Sequence, residues 1–506
     1  MKKPTKTRDT MDEEGAEEEH QEHHDTTFTS TSDLCQQLMD RYSASSTPQH
    51  RHLLATAAAM RSLLAAESLP LTPAAYFAAV ISAISNPSQQ TLDSDAVAAL
   101  TLFLSMALPL VPPGAISTEK ATEAVEVLVG LLRWEGGVAS AASARAVVKC
   151  LGVLIGFCDL EDWGSVKLGF ETLLKFSVDK RPKVRKCAQA CVEKVFKSFQ
   201  CSTVIKEASK LVLSLLKSYM HLAFGLSTSM TADGSIDGLL SKPEQLEFLH
   251  MLNVMKCIVP FLSVKVNSKI LSEMHKLMSS QFSALTRHIL KVIEAFFEAS
   301  RVEVIIPEME NILISLASYV SLAKKNPMDT VISAATLSKS ILDKLHIGEP
   351  SSCIRNLPLV IGAIAGLLTS EASAASQASS VLKELINLHM DRRNFSTDGN
   401  QQFEDEVKGS MEAIAIKSTC AVIEKVLGTC DGIPNEHILA VISILFLKLG
   451  EISYLFMKGI VLKLADLMTL AGGDTSNTNH LQTVYWICYY RSGPKEDTYT
   501  STNLPS

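Results

Sequence analysis

Apolar residues recur at helical spacing along nearly the whole chain. Val125, Leu128, Val129 and Leu132 follow i, i+3, i+4, i+7, and Met309, Ile312, Leu313 and Leu316 repeat the pattern. Strand-like alternation is almost absent. The spacing predicts helices over 33–43, 51–67, 73–85, 94–109, 118–133, 138–157, 163–176, 182–199 and 203–223. A second series covers 243–261, 268–279, 283–299, 307–323, 328–345, 354–368, 371–389, 403–427, 434–449 and 452–470. The expected breaks are Pro73, Pro87, Pro112-Pro113-Gly114, Gly136-Gly137, Pro243, Pro307, Asn326-Pro327, Gly348-Glu-Pro350 and Asp431-Gly-Ile-Pro434.

One unit, Ser177 to Phe196, is sharper than the rest. Asp179 offers a carboxylate to orphan amides near a helix start, and Pro182 suits the first turn, where its missing N–H costs nothing. Val184, Cys187, Ala188, Cys191, Val192 and Val195 then form one apolar stripe. Lys183, Lys186, Lys194 and Lys197 lie off that stripe. An Asp, a Pro, then Val-Arg and an Ala three residues on is the pattern of the second helix of a HEAT repeat. Such a hairpin buries its apolar face only by stacking on its neighbours, with a period of roughly 40–47 residues. The fold class expected is all-α, a HEAT/armadillo-like solenoid of stacked antiparallel helix pairs. The other units match by length and stripe alone.

Composition agrees with this picture. The chain has 506 residues, 47% hydrophobic but only 6% aromatic, which suits helices packed through small and aliphatic side chains. The runs Val153–Phe157 and Ile442–Leu447 fall short of the roughly 18 residues a membrane span needs, and the charged start does not read as a signal peptide. The eleven cysteines, Cys150, Cys187 and Cys257 among them, read as buried thiols of a reducing compartment. Residues 1–30 carry four basic and nine acidic groups (4 − 9 = −5), leaving −2 of the total −7 for the remainder. A tail so charged and so poor in apolar groups is expected to be disordered. A body near neutrality argues against bulk nucleic-acid binding but leaves room for local basic patches.

The domain reading follows: a charged tail over 1–30, a first solenoid part over 31–224, a flexible loop over 225–242 and a second part over 243–482. Residues 483–506 are expected to be an aberrant, disordered tail. Gly225 to Leu240 and Asp391 to Gln402 are polar loops suited to contacting a partner.

The segment Asp159-Leu-Glu-Asp-Trp163, the helix after it, Ser177 to Phe196 and the turn Lys324-Lys-Asn-Pro-Met-Asp329 resemble the amino-terminal half of the ribosomal RNA-processing protein 12 family. The likeness spans roughly 31–482 and is closest to plant members. Those are nucleolar HEAT-repeat proteins without catalytic residues. The resemblance implies a non-catalytic scaffold of the nucleus and nucleolus that shuttles to the cytoplasm. It would bind pre-ribosomal particles and assembly factors, contact pre-ribosomal RNA, and support RNA processing and subunit export. Family members are much longer. After Gly472 to Gln482 the helical pattern gives way to Thr-Val-Tyr-Trp-Ile-Cys-Tyr-Tyr-Arg. Codons for Tyr485 to Tyr490, read one nucleotide later, can encode Ile-Gly-Ser-Ala-Ile-Thr, which is similar to the family there. A frameshifted or mis-spliced transcript is therefore expected for 483–506.

Candidate chemistry is sparse. Lys180, Arg181, Lys183, Lys186, Lys194 and Lys197 form a basic cluster that either contacts RNA phosphates or is a solvated helix face. It lacks the interleaved aromatics of a single-strand stacking surface. Arg185 is set apart, since the repeat's arginine commonly pairs with an acid of an adjacent repeat. Cys187 and Cys191 read as core packing, and His20, His23 and His24 as a solvated polar run. Lys2, Lys3, Lys6 and Arg8 resemble a weak nuclear-import signal, and Asn394-Phe-Ser396 fits a glycosylation acceptor that a nuclear chain never uses. No nucleotide-binding loop, nucleophile elbow or zincin helix occurs. No enzyme, cofactor, metal, membrane or small-molecule substrate is expected. The competing reading is a nuclear transport receptor or other HEAT adaptor, which would bind Ran or export machinery.

Overall fold

The computed structural model describes residues 28–85, 94–133, 140–225, 243–279, 283–299, 302–390, 410–430 and 434–470. All regular structure among these residues is helical. The chain divides into two compact units between Ala208 and Ser209. The first contains α1 (Leu34–Tyr42), α2 (Pro48–Ala66), α3 (Pro73–Ser85), α4 (Ser94–Ala107), α5 (Thr118–Arg133), α6 (Ala141–Leu154), α7 (Trp163–Phe176) and α8 (Pro182–Phe199). α9 (Ile205–Gly225) crosses the division. The second unit continues with α10 (Pro243–Ile258), α11 (Val264–Ser279), α12 (Ser283–Ala299), α13 (Val302–Ser321), α14 (Met328–Gly348), α15 (Pro350–Ala365) and α16 (Ala372–His389). It closes with α17 (Met411–Gly428), α18 (Glu436–Leu449), the single turn α19 (Ser453–Phe456) and α20 (Lys458–Leu470).

Each unit is built in two layers. In the first, α2, α4, α6 and α8 pack successively in one layer, with α3, α5 and α7 in the other. In the second, α10, α12, α14, α16 and α18 form one layer, and α11, α13, α15, α17 and α20 the other. Consecutive helices close each hairpin. The repeat period can be read from the hydrogen bonds between successive hairpins. The Tyr76 hydroxyl donates to Asp33 at 2.7 Å across 43 residues, and Thr122 meets Ser165 at 2.9 Å across 43. The Thr203 hydroxyl donates to the Glu161 carbonyl at 3.0 Å across 42. In the second unit His275 meets Ser315 at 2.9 Å across 40, and Asn356 donates to Glu310 at 2.8 Å across 46. These spacings fall in the HEAT range that the helix lengths predicted.

The core is aliphatic, with aromatic anchors at particular hairpins. Between α7 and α8 the ring of Phe170 meets Phe196 at 5.3 Å and Phe199 at 5.6 Å, edge to face, and all three are fully buried. Such pairs add about 0.5–1.5 kcal/mol each beyond the area they bury. At Gly152, where α6 packs on Cys191 of α8, there is no room for a side chain on α6. A Cβ built on Gly152 lies 2.5 Å from Cys191 Sγ and 2.7 Å from its Cβ.

Several helices differ from their predicted bounds. α2 and α15 begin at Pro48 and Pro350, because proline at the first helical position starts a helix rather than ending one. α13 begins at Val302, so Pro307, expected as its start, lies inside it. The cost is one backbone bond, to the Glu303 carbonyl, close to the helix start. Buried Ile305 lies before the proline and Met309 and Ile312 after it, so core packing spans the defect. Pro350–Thr369 has the length and apolarity of a membrane span, but 61% of that window is buried, and α15 lies against α13, α14, α16 and α17. Of the cysteines taken as buried, Cys150 is, Cys187 is half-buried and Cys257 is exposed. Residues 1–27, 226–242, 391–409 and 471–506 lie outside the described residues. With them lie the charged tail with its histidines and lysines, the two polar segments, Asn394 and the expected frame change.

The close approach at Gly152 gives a sharp prediction. In an open helix, glycine to alanine gains about 0.5–1 kcal/mol. Here the added methyl must push α6 and α8 apart, so Gly152→Ala is expected to destabilise the chain by about 1–3 kcal/mol. Urea denaturation followed by far-UV circular dichroism measures this, and a stabilised variant would show that the two helices are not in contact there.

Candidate nucleic-acid interface

The basic cluster is organised by the turn before α8. The Asp179 carboxylate accepts from the Arg181 backbone N–H at 2.8 Å and from its guanidinium at 2.9 Å. Burial alone would raise the Asp179 pKa, but these bonds and the Arg181 charge outweigh it and hold the carboxyl below its ordinary value. From inside α8, Gln189 donates to the Ser177 carbonyl at 3.0 Å. Arg185 also reaches back, its guanidinium donating to the carbonyl of Asp179 at 2.9 Å. That overturns the expected pairing of Arg185 with an acid of another repeat. The turn's own carbonyls are nearer and need donors once α8 folds over them.

Of the six residues read from the sequence, four share one face. At 100° per residue, Lys183, Lys186, Lys194 and Lys197 occupy a sector of about 80° on α8, and all four are exposed. Lys180 is exposed in the preceding turn, whereas Arg181 is tied into the ion pair with Asp179. Lys197 is paired one turn back with Glu193 at 2.6 Å, a surface contact of small energy that a phosphate can displace. The opposite face, Val184, Ala188, Val192, Val195, Phe196 and Phe199, is buried.

Stacking adds cations that linear reading missed. α6 packs directly on α8 and carries Arg145 and Lys149, both exposed and one turn apart. The Cys187 thiol lies 3.8 Å from the Arg145 carbonyl, 42 residues away, which places the two helices side by side. α6 contains no acid, and α8 has only Glu193. The signal for this was the repeat period, since Arg145 and Lys149 lie one period before Cys187 and Cys191. The surface is thus a two-helix patch of point charges without aromatics, suited to sequence-independent contact with phosphates.

The two cysteines lie along the seam between these helices, and both are half-buried. A hydrogen bond from the Cys191 thiol, with the Arg145 and Lys149 charges, outweighs burial and brings the Cys187 thiol below its ordinary range. The same bond and burial push Cys191 up.

Stacked helix hairpins with a period near 42 residues define a HEAT-type solenoid, and the comparisons place it further. Residues 20–304 match the family described as RRP12-like, N-terminal HEAT repeats, and the chain belongs to that family. It is 23% identical over 356 residues to the human RRP12-like protein, covering 69% of this chain and 26% of that protein. It is 24% identical over 393 residues to the RRP12-like protein of Gallus gallus, covering 75% of this chain and 29% of that one. The chain therefore spans between a quarter and a third of the length of these relatives. Among solved structures, the TSC2 N-terminus is 13% identical, with 81% of this chain and 98% of that one covered and a TM-score of 0.39. At that score nothing further rests on the likeness.

The polarised cysteine pair is testable. Because the thiolate is the nucleophile, alkylation of Cys187 should set in at lower pH than for an ordinary thiol. Cys191→Ala should move its pH–rate profile upward. Peptide mass spectrometry after timed iodoacetamide labelling measures this, and a profile indifferent to the substitution would remove the hydrogen-bonded pair.

Proposed function

We propose that this chain is a non-catalytic docking region of a ribosome-biogenesis scaffold, whose α6–α8 face lies against the phosphate backbone of pre-ribosomal RNA. The observation that carries the reading is the two-helix basic patch, with Arg145 and Lys149 beside Lys183, Lys186, Lys194 and Lys197, in a chain of the RRP12-like family. The body outside the first thirty residues is close to neutral, so a local concentration of cations marks one face rather than a generally basic protein. α6 adds two cations and no acid to that patch, which favours a positive local field. In this role the chain binds pre-ribosomal particles and assembly factors in the nucleolus and supports RNA processing and subunit export.

The test is sucrose-gradient sedimentation of the tagged chain from plant cells, with precursor RNA probed in each fraction. The chain is expected to migrate with precursor particles. A Lys183→Gln/Lys186→Gln/Lys194→Gln/Lys197→Gln variant, its fold checked by circular dichroism, is expected at the top of the gradient. With purified RNA, loss of four phosphate contacts should lower the log–log salt slope by about 3. Co-migration of both proteins would remove the α8 face from the interface. Strong direct binding to Ran loaded with GTP, without particle association, would favour a transport adaptor instead.

A further inference from the structure

Three helix ends meet in the second unit around a set of side chains that the basic face does not involve. His346 lies in the last turn of α14, Cys353 in the first turns of α15, and His389 ends α16. One ligand-capable atom from each, Nδ1 or Nε2 of the histidines and Sγ of the cysteine, lies within 4.8 Å of the others. We infer that His346, Cys353 and His389 form a binding site for a single zinc-class divalent metal ion, with Asp343 positioning His389.

The geometry supplies what such a site needs. Cys353 Sγ stands 3.7 Å from His389 Nδ1. Bond lengths of about 2.3 Å to sulfur and 2.0–2.1 Å to nitrogen put the sulfur–nitrogen edge of a zinc tetrahedron at about 3.6 Å. His389 Nε2 lies 3.3 Å from Asp343 Oδ1, and an N–H there donates to the carboxylate. That bond directs the Nδ1 lone pair toward Cys353, the carboxylate–histidine arrangement that orients metal-ligating imidazoles. The His346 ring completes the set, its centroid 5.0 Å from that of His389.

The surroundings agree. The His389 side chain is only 2% exposed and Cys353 is fully buried, so both are held by packing. His346 is exposed, which gives an ion a way in and leaves room for a water or further donor at a fourth position. The cation would sit at the carboxyl-terminal ends of α14 and α16, where the helix dipoles favour positive charge. One thiol with two imidazoles is a borderline-soft donor set, which selects zinc, or cobalt as its probe, over magnesium or calcium. Without an ion the Cys353 thiol donates to the Leu342 carbonyl at 3.5 Å. Binding exchanges that S–H for a metal–thiolate bond and releases the proton to solvent. The ion would tie α14, α15 and α16 together, joining one hairpin to the next.

The purified full chain, freed of metal, would be titrated with cobalt(II) and then with zinc. One cobalt per chain is expected, giving a near-ultraviolet thiolate charge-transfer band and the visible bands of a tetrahedral centre, both removed by zinc. Cys353→Ser and His389→Ala should abolish the thiolate band, and Asp343→Asn should weaken binding by about 10- to 100-fold. His346→Ala, at an exposed position where folding is not in question, should also weaken binding. The histidines His20, His23 and His24 cannot produce a thiolate band, so any weak binding by them is spectroscopically separate. Absence of the band, its survival in Cys353→Ser, or unchanged affinity in His346→Ala would each overturn the site and leave these side chains as packing contacts only.

Discussion

An amphipathic helix pair has one apolar face too many. Within a hairpin the two helices cover each other only in part, and the remaining face must lie on the next hairpin or stay in water. This constraint accounts for most of what the chain shows. It explains why aliphatic and small residues dominate while aromatics are few, and why buried positions recur on every helix with little difference between the first and second units. It also explains why several hydrogen bonds between hairpins span one repeat, 40 to 46 residues. The interfaces differ in how they satisfy it. α7 and α8 use the Phe170 cluster, whereas α6 and α8 approach so closely at Gly152 that backbone and thiol are in contact.

Much of this was legible from one-dimensional pattern. α3, α5, α7, α8 and α12 occupy the spans their apolar spacing predicts, and in the first four a proline or acid near the start agrees with the periodicity. The errors share a cause. Pro350 was read as a break and Pro307 as a helix start, yet Pro350 opens a helix and Pro307 sits inside one held by buried residues on both sides. Cys257 was placed in the core by residue type, although its neighbours on α10, Met255 and Ile258, take the buried positions and leave it exposed. Arg185 was assigned a partner by repeat pattern, while the nearest unsatisfied acceptors were the carbonyls of its own turn. In each case tertiary packing or the local backbone decided, and neither is visible in residue identity alone.

The basic surface proposed to meet RNA was half legible for the same reason. Lys183, Lys186, Lys194 and Lys197 can be placed on one face by counting along α8. Arg145 and Lys149 cannot, because only the stacking of α6 on α8 brings them alongside. Asp179 and Arg181 show the opposite effect. They lie within the basic run but cancel each other, so most of the exposed positive charge there belongs to the helix face.

A solenoid thus makes its sites by the same arithmetic that makes its core. Residues about one period apart in sequence become neighbours across a hairpin interface, so chemistry scattered along the chain is gathered at regular intervals. Arg145 lies beside Cys187 across 42 residues, and Asp343 beside His389 across 46. Short motifs cannot record such groupings, since no two members need fall within one helix. What decides between a packing contact and a site is whether the gathered groups satisfy one another. At Asp179 they do, and the result is a rigid turn that holds α8 and its lysines in place. At the seam of α6 and α8 the basic groups lie on exposed helix faces where α6 has no acid and α8 has only Glu193, and the consequence is a basic surface.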